Sequence, residues 1–162
     1  MAVAPLLLAF ATVDIAQAAT RINSYRDWSL FSHEEPQRKI CFVASQPKEM
    51  EPAAAKRDAV FFYISSWPKD GVKSEISVRM GYPIKPGSTV KITVGGKRFE
   101  LFAKDDNAFV ANPQDELRLI SAMKAGSLMK VGATSARGTA TTDNYSLMGI
   151  SAALKGLATT CR

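Results

Sequence analysis

The stretch from Thr89 to Lys104, "TVKITVGGKRFELFAK", sets the terms for any fold of this chain. Val90, Ile92 and Val94 alternate with Thr89, Lys91 and Thr93, and Phe99, Leu101 and Ala103 carry the apolar positions on beyond Gly95-Gly96. A period of two places every apolar side chain on one face of an extended backbone. A glycine pair between two such runs supplies the positive φ angles of a two-residue turn. The segment is therefore expected as a hairpin with one wet face, and the remaining chain must cover the other. A phosphate loop is the competing reading of Gly95-Gly96. No Gly-Lys-Ser/Thr follows and no helix opens there, so that reading has no support.

The rest of the chain repeats the pattern. Residues 19 to 26 read as a polar lead-in. In "DWSLFS" (27–32), Trp28, Leu30 and Ser32 share one strand face, and "HEEPQR" (33–38) reads as a charged turn that holds His33. "KICFVAS" (39–45) is a β-branched and aromatic run, and residues 46 to 58 read as a long connection broken by Pro47 and Pro52. "AVFFYISSW" (59–67), rich in β formers and free of charge, reads as a central strand buried on both faces. In "EISVRM" (75–80), Ile76, Val78 and Met80 are expected to point inward. Asp105-Asp106 reads as a turn and 108–111 as a short strand.

A helix is expected next, with Asn112 as N-cap, Pro113 as first residue, Asp115 and Glu116 in the first turn and Gly126 just past the end. Leu117, Ile120 and Met123 give its apolar spacing. Residues 127–135 return to strand, 136–144 read as polar and turn-like or as a hairpin edge, and 151–160 as a short helix capped by Ser151. Strands do not alternate with helices, which argues against a doubly wound parallel sheet. The expectation is an all-β fold, an antiparallel immunoglobulin-like β-sandwich with one mid-chain and one C-terminal helix.

Residues 3 to 13, "VAPLLLAFATV", are apolar, yet too few to cross a bilayer, which takes roughly 20 residues. "AQA" at 16–18 follows, a small-residue pattern read by signal peptidases, although no basic n-region precedes the run. Residues 1–18 are expected as a cleaved signal peptide and 19–162 as one domain, exported and without a membrane span after cleavage. Export makes sense of the cysteines. There are two, Cys41 and Cys161, and an oxidising compartment favours their pairing. No CxxC spacing supports a redox or metal role.

Catalytic constellations are missing from the pattern. His33 is the single histidine, no G-x-S-x-G is present, and the carboxylate pair Asp105-Asp106 belongs to a turn. Adjacent His33, Glu34 and Glu35 make a poor metal shell. No catalytic, cofactor or metal residues are assigned, and the protein is expected not to be an enzyme. The alternative is an envelope polysaccharide- or peptide-processing enzyme using two acids, or an acid with His33. Trp28 and Trp67 are read as core or rim aromatics in preference to sugar platforms. Net charge is +6, with Lys and Arg dispersed, so weak binding to an anionic surface is plausible through outward residues such as Arg79, Lys91 and Arg98, and specific nucleic-acid binding is not expected.

Four stretches taken in order resemble one family: "DWSLFS", "RKICFVASQ", "VRMGYPIKPG" and the ending "TDNYSLMGISAALKGLATTC". Across residues 25 to 161 the chain looks like the invasion-associated locus B family of Gram-negative bacteria. The resemblance implies an exported protein of the periplasm or outer envelope, an immunoglobulin-like sandwich and, in some pathogens, a link to entry into host cells such as erythrocytes. It implies an envelope or host-cell partner and carries over no active-site residue.

Overall fold

The computed structural model describes residues 18–162. The expected signal segment, apart from Ala18, lies outside the described residues. Eleven strands and two helices follow one another: β1 (Thr20–Tyr25), β2 (Trp28–Glu35), β3 (Arg38–Ser45), β4 (Glu49–Glu51), β5 (Phe61–Trp67), β6 (Val72–Arg79), β7 (Thr89–Val94), β8 (Lys97–Lys104), β9 (Asn107–Phe109), α1 (Pro113–Ala125), β10 (Leu128–Thr134), β11 (Ala140–Ser146) and α2 (Ile150–Thr160). All eleven strands belong to one antiparallel sheet in the order β1-β2-β3-β5-β6-β9-β8-β7-β10-β11-β4. Its two halves face each other over a shared core. Trp28 of β2 donates its Nε1–H to the Ser146 carbonyl of β11 at 3.1 Å, and the rings of Phe62 on β5 and Tyr145 on β11 meet edge to face at 5.8 Å. The class is the expected one, mainly antiparallel β with a mid-chain and a C-terminal helix, and the layers are continuous through β9.

The hairpin of β7 and β8 forms as its pattern requires. Val94 pairs with Lys97 across Gly95 and Gly96, whose φ angles are +54° and +80°. Val90, Ile92, Val94 and Leu101 are buried while Lys91, Arg98 and Glu100 are exposed. Inward alternation also holds in β6, where Ile76 and Val78 are fully buried, as is Met80 just beyond it.

Several elements differ from expectation, each for a physical reason. The polar lead-in is a strand. β1 pairs with β2 as the sheet edge and is solvated on both faces, so it has no hydrophobic alternation to read. The long connection after β3 holds the three-residue β4, which closes the far edge against β11. In α1 the cap is as expected, with Asn112 Oδ1 accepting from the Asp115 N–H at 2.9 Å. Its buried face is Leu119, Ala122 and Met123, however, and Leu117 is 58% exposed. Glu116 fixes that rotation by accepting the Ile76 N–H with Oε1 at 3.2 Å. Ser151 does not cap α2. The helix starts one residue earlier behind Gly149, whose φ is +94°, and Ile150 turns inward to be buried. A side chain at Gly149 would bring Cβ to within 1.9 Å of the Tyr25 carbonyl oxygen, so only glycine fits where α2 meets β1.

Candidate functional site

Cys41 and Cys161 are bonded, with Cα atoms 5.8 Å apart, and both are buried. Cys41 sits at an inward position of β3. The i, i+3, i+7 face of α2, Ile150, Ala153 and Leu157, packs into the core and delivers Cys161 to it. The bond is structural: it ties the last residues to an early strand.

The remaining singled-out residues scatter. His33 is a half-buried strand residue of β2 opposite Ile40, where a loop position was expected. It falls within β2 because the strand continues to Glu35 and leaves only Pro36 and Gln37 for the turn. Trp28 is wholly buried in the core. Trp67 is a half-buried rim residue with the Arg38 guanidinium 4.4 Å above its ring. Asp105 and Asp106 occupy the β8–β9 turn, where Asp106 Oδ2 accepts from Arg79 Nε at 3.3 Å. Arg79 is thereby ion-paired, while Lys91 and Arg98 stand exposed on the wet face near Lys130, since Arg98 and Lys130 both flank Thr93 in register. No group of three or more His, Cys, Asp or Glu is arranged to hold a metal ion among the described residues, and none of their helices is long and apolar enough to cross a membrane.

A cleft of about 900 Å³ is walled by residues drawn from the segments 52–58, 81–83 and 135–141. Pattern reading missed it because 136–144 lacks an apolar signature. Residues 140 to 146 nonetheless form β11, and alternation turns Thr141, Asp143 and Tyr145 inward. A carboxylate at a fully buried position needs a partner, because an unpaired buried charge is prohibitively costly. Arg57 supplies it from the connection before β5. Its Nη1 donates to Asp143 Oδ1 at 2.6 Å and its Nη2 to Oδ2 at 2.7 Å. Nε and Nη2 also donate to the Met80 carbonyl at 3.1 and 2.8 Å. Tyr82 lies against the guanidinium, 5.0 Å from ring centre to Cζ, and its hydroxyl shares a 2.6 Å hydrogen bond with Thr141 Oγ1.

Burial and close partners shift three groups at or beneath the cleft. Burial works against the charge of Arg57, but the hydrogen bonds and charge of Asp143 outweigh it and hold the guanidinium pKa above its ordinary value. Burial likewise raises the Tyr82 phenol, against the opposing hydrogen bond from Thr141. Tyr145 is raised further, by burial first and then by the Asp143 charge. Chemically, the carboxylate has both oxygens engaged, the guanidinium is forked onto protein oxygens, and Ser135 Oγ accepts the Thr139 N–H at 3.1 Å. Arg57, Tyr82, Ser135 and Thr141 line the cleft, and the fully buried Asp143 lies beneath them. Exposed Lys56 and Arg137 stand at the margins of the cleft.

A family model described as invasion associated locus B (IalB) protein matches residues 28–158. Among solved structures the chain is similar to the crystal structure of invasion associated protein B from Bartonella henselae, with a TM-score of 0.62 and 17% identity over 89% of this chain and 97% of that one. At that identity the likeness is one of fold. No curated protein matches in sequence.

Proposed function

This chain belongs to the invasion associated locus B family, and we propose that it is an exported, non-enzymatic cell-envelope protein, a binding or accessory module linked to host-cell invasion or envelope function. Residues 1–18 are its cleaved signal and 19–162 its working domain, in the periplasm or at the outer envelope. The observation that carries the non-enzymatic reading is the floor of the cleft. Its buried carboxylate and guanidinium saturate each other through two short hydrogen bonds, which suits a preformed binding surface better than proton transfer by that pair. The buried Cys41–Cys161 bond supports export, because such bonds persist in oxidising compartments.

Fractionation of intact cells with surface protease, followed by non-reducing gels, tests the proposal. The expected product is a chain cut after Ala18, recovered from the envelope fraction with both thiols blocked. Recovery from the cytoplasm with free thiols overturns it. Protease sensitivity on intact cells assigns the outer surface, and resistance the periplasm.

A further inference from the structure

An antiparallel sheet with one solvated face is expected to be polar on that face. Half of this sheet obeys. The outward residues of β7, β10 and β11 include Lys91, Thr93, Lys130, Thr134, Thr142 and Asn144. The other half does not. Outward positions of β2, β3, β5, β9 and β8 carry Phe31, Phe42, Phe61, Tyr63, Phe109 and Phe102, all half-buried except Phe102, which is 48% exposed.

The rings form two clusters on this face, one on β2, β3 and β5 and one on β9 and β8, with the outward Glu75, Ser77 and Arg79 of β6 between them. Phe31 stands directly opposite Phe42, and their rings stack at 5.1 Å. Phe42 meets Tyr63 edge to face at 5.8 Å, and Tyr63 stacks on Phe61 at 5.5 Å. Tyr63, Ser77, Phe109 and Phe102 lie in a single cross-strand row, which ends in a stacked pair at 5.6 Å. Both helices send their buried residues into the inward core and so leave this face without a cover of their own. That explains the disagreement over β5. Its composition is that of a strand buried on both faces, yet the chain buries only Phe62, Ile64 and Ser66 fully.

We propose that the aromatic band on the outward face of β2, β3, β5, β6, β9 and β8 is an interface with a second copy of this chain. Three features single out that occupant. Charges within and around the band carry both signs, Arg21, Arg79 and Lys104 against Glu75 and Glu100. A polymer of one sign, such as an acidic polysaccharide or an anionic membrane, would be repelled at part of that rim. A two-fold pairing sets each patch against its own copy, where opposite signs can meet. Each ring already lies against a neighbouring ring, so the face carries two packed clusters and not a row of separate sugar platforms. Its extent also fits. Six strands at roughly 4.8 Å spacing, up to eight residues long at roughly 3.4 Å each, span about 700 Å², close to the about 800 Å² each partner contributes to a stable interface. Two such faces would pack as aligned sheets.

The test is sedimentation velocity of the exported, disulfide-bonded chain over a concentration series, with Phe42→Lys and Tyr63→Lys on the band and Lys130→Glu on the polar half. Wild type and Lys130→Glu should dimerise in the micromolar range, with association weakened about 30-fold or more in the band variants. Hydroxyl-radical labelling of wild type guards against a variant that fails to fold: modification of Tyr63 and Phe102 should fall severalfold with dimer formation while that of Tyr82 stays level. A wild type that is monomeric throughout overturns the proposal, as does a dimer that survives both band variants or labelling of Tyr63 that ignores concentration. A monomer that instead pellets with anionic vesicles through this face overturns it in favour of a lipid surface.

Discussion

Arg57 and Asp143, 86 residues apart in sequence, form a two-pronged ion pair whose side chains are 4% and 0% exposed. The pair bolts the connection before β5 to β11, and the Met80 carbonyl makes it a three-way junction. A buried pair is a weak source of net stability but a severe loss when one member is removed.

Asp143→Asn should therefore destabilise the fold by about 3–5 kcal/mol, because the Arg57 charge is left without compensation. The double change Arg57→Met with Asp143→Leu should be far milder, within about 2 kcal/mol of wild type, since it removes both charges together. Urea unfolding with the disulfide intact measures both. A double variant as unstable as Asp143→Asn would show that the junction contributes more than charge cancellation.

Tyr145 gives a prediction in pH. Its Oη is buried without a hydrogen-bond partner among the described residues, and burial, then the Asp143 charge, holds its pKa above the ordinary 10.0. Below that value both folded and unfolded states keep the phenol proton, and stability is full. Above it the unfolded chain ionises while the folded one does not, so stability falls as pH rises, by about 1.4 kcal/mol per pH unit for such a group. Tyr145→Phe should flatten this alkaline limb and leave stability at neutral pH unchanged or slightly higher, because it removes an unsatisfied hydroxyl. Thermal melts across the alkaline range read the slope.

Removing the Cys41–Cys161 bond, as the double serine variant, opens a closure of 120 residues. The chain-entropy account assigns such a loop about 5 kcal/mol, an upper figure because residual structure in the unfolded chain reduces it. Amide exchange near the end of α2 should rise more than in the β7–β8 hairpin, which the bond does not touch.

Two leucines on α1 separate expectation from structure. Leu119→Ala should cost about 2–5 kcal/mol, as for a fully buried leucine, and Leu117→Ala less than about 0.5 kcal/mol. Equal costs would contradict the helix rotation set by Glu116.

His33→Ala should leave envelope phenotypes unchanged, since His33 lies on β2 and does not line the cleft. A loss of fitness with stability intact would revive the enzymatic alternative that rests on this histidine.

What the sequence conveyed and what it withheld follow one rule. Elements with one dry and one wet face were legible: the β7–β8 hairpin, β6 and the capped start of α1 all show a period or a cap that depends on local chemistry alone. Elements whose environment is uniform were not. β1 is wet on both sides and looked like a leader, and the polar inward residues of β11 looked like a turn. Asp143 was invisible as a core residue because its burial depends on Arg57, which arrives from a connection without periodicity. Start of α2 was off by one residue because Gly149 is selected by contact with Tyr25, a tertiary constraint. The cysteine pairing was legible because two cysteines permit a single intramolecular partner each.

The bond from β3 to the end of α2 has a mechanical consequence. It makes residues 41 to 161 a covalent ring that contains most of β3 and every later element. Among the described residues, β1, β2 and the first three residues of β3 lie outside it, with Arg162 beyond Cys161. Tension applied between the two ends of the domain can therefore peel the leading hairpin and then stops at a sulfur–sulfur bond, with the cleft and the β7–β8 hairpin shielded from the load.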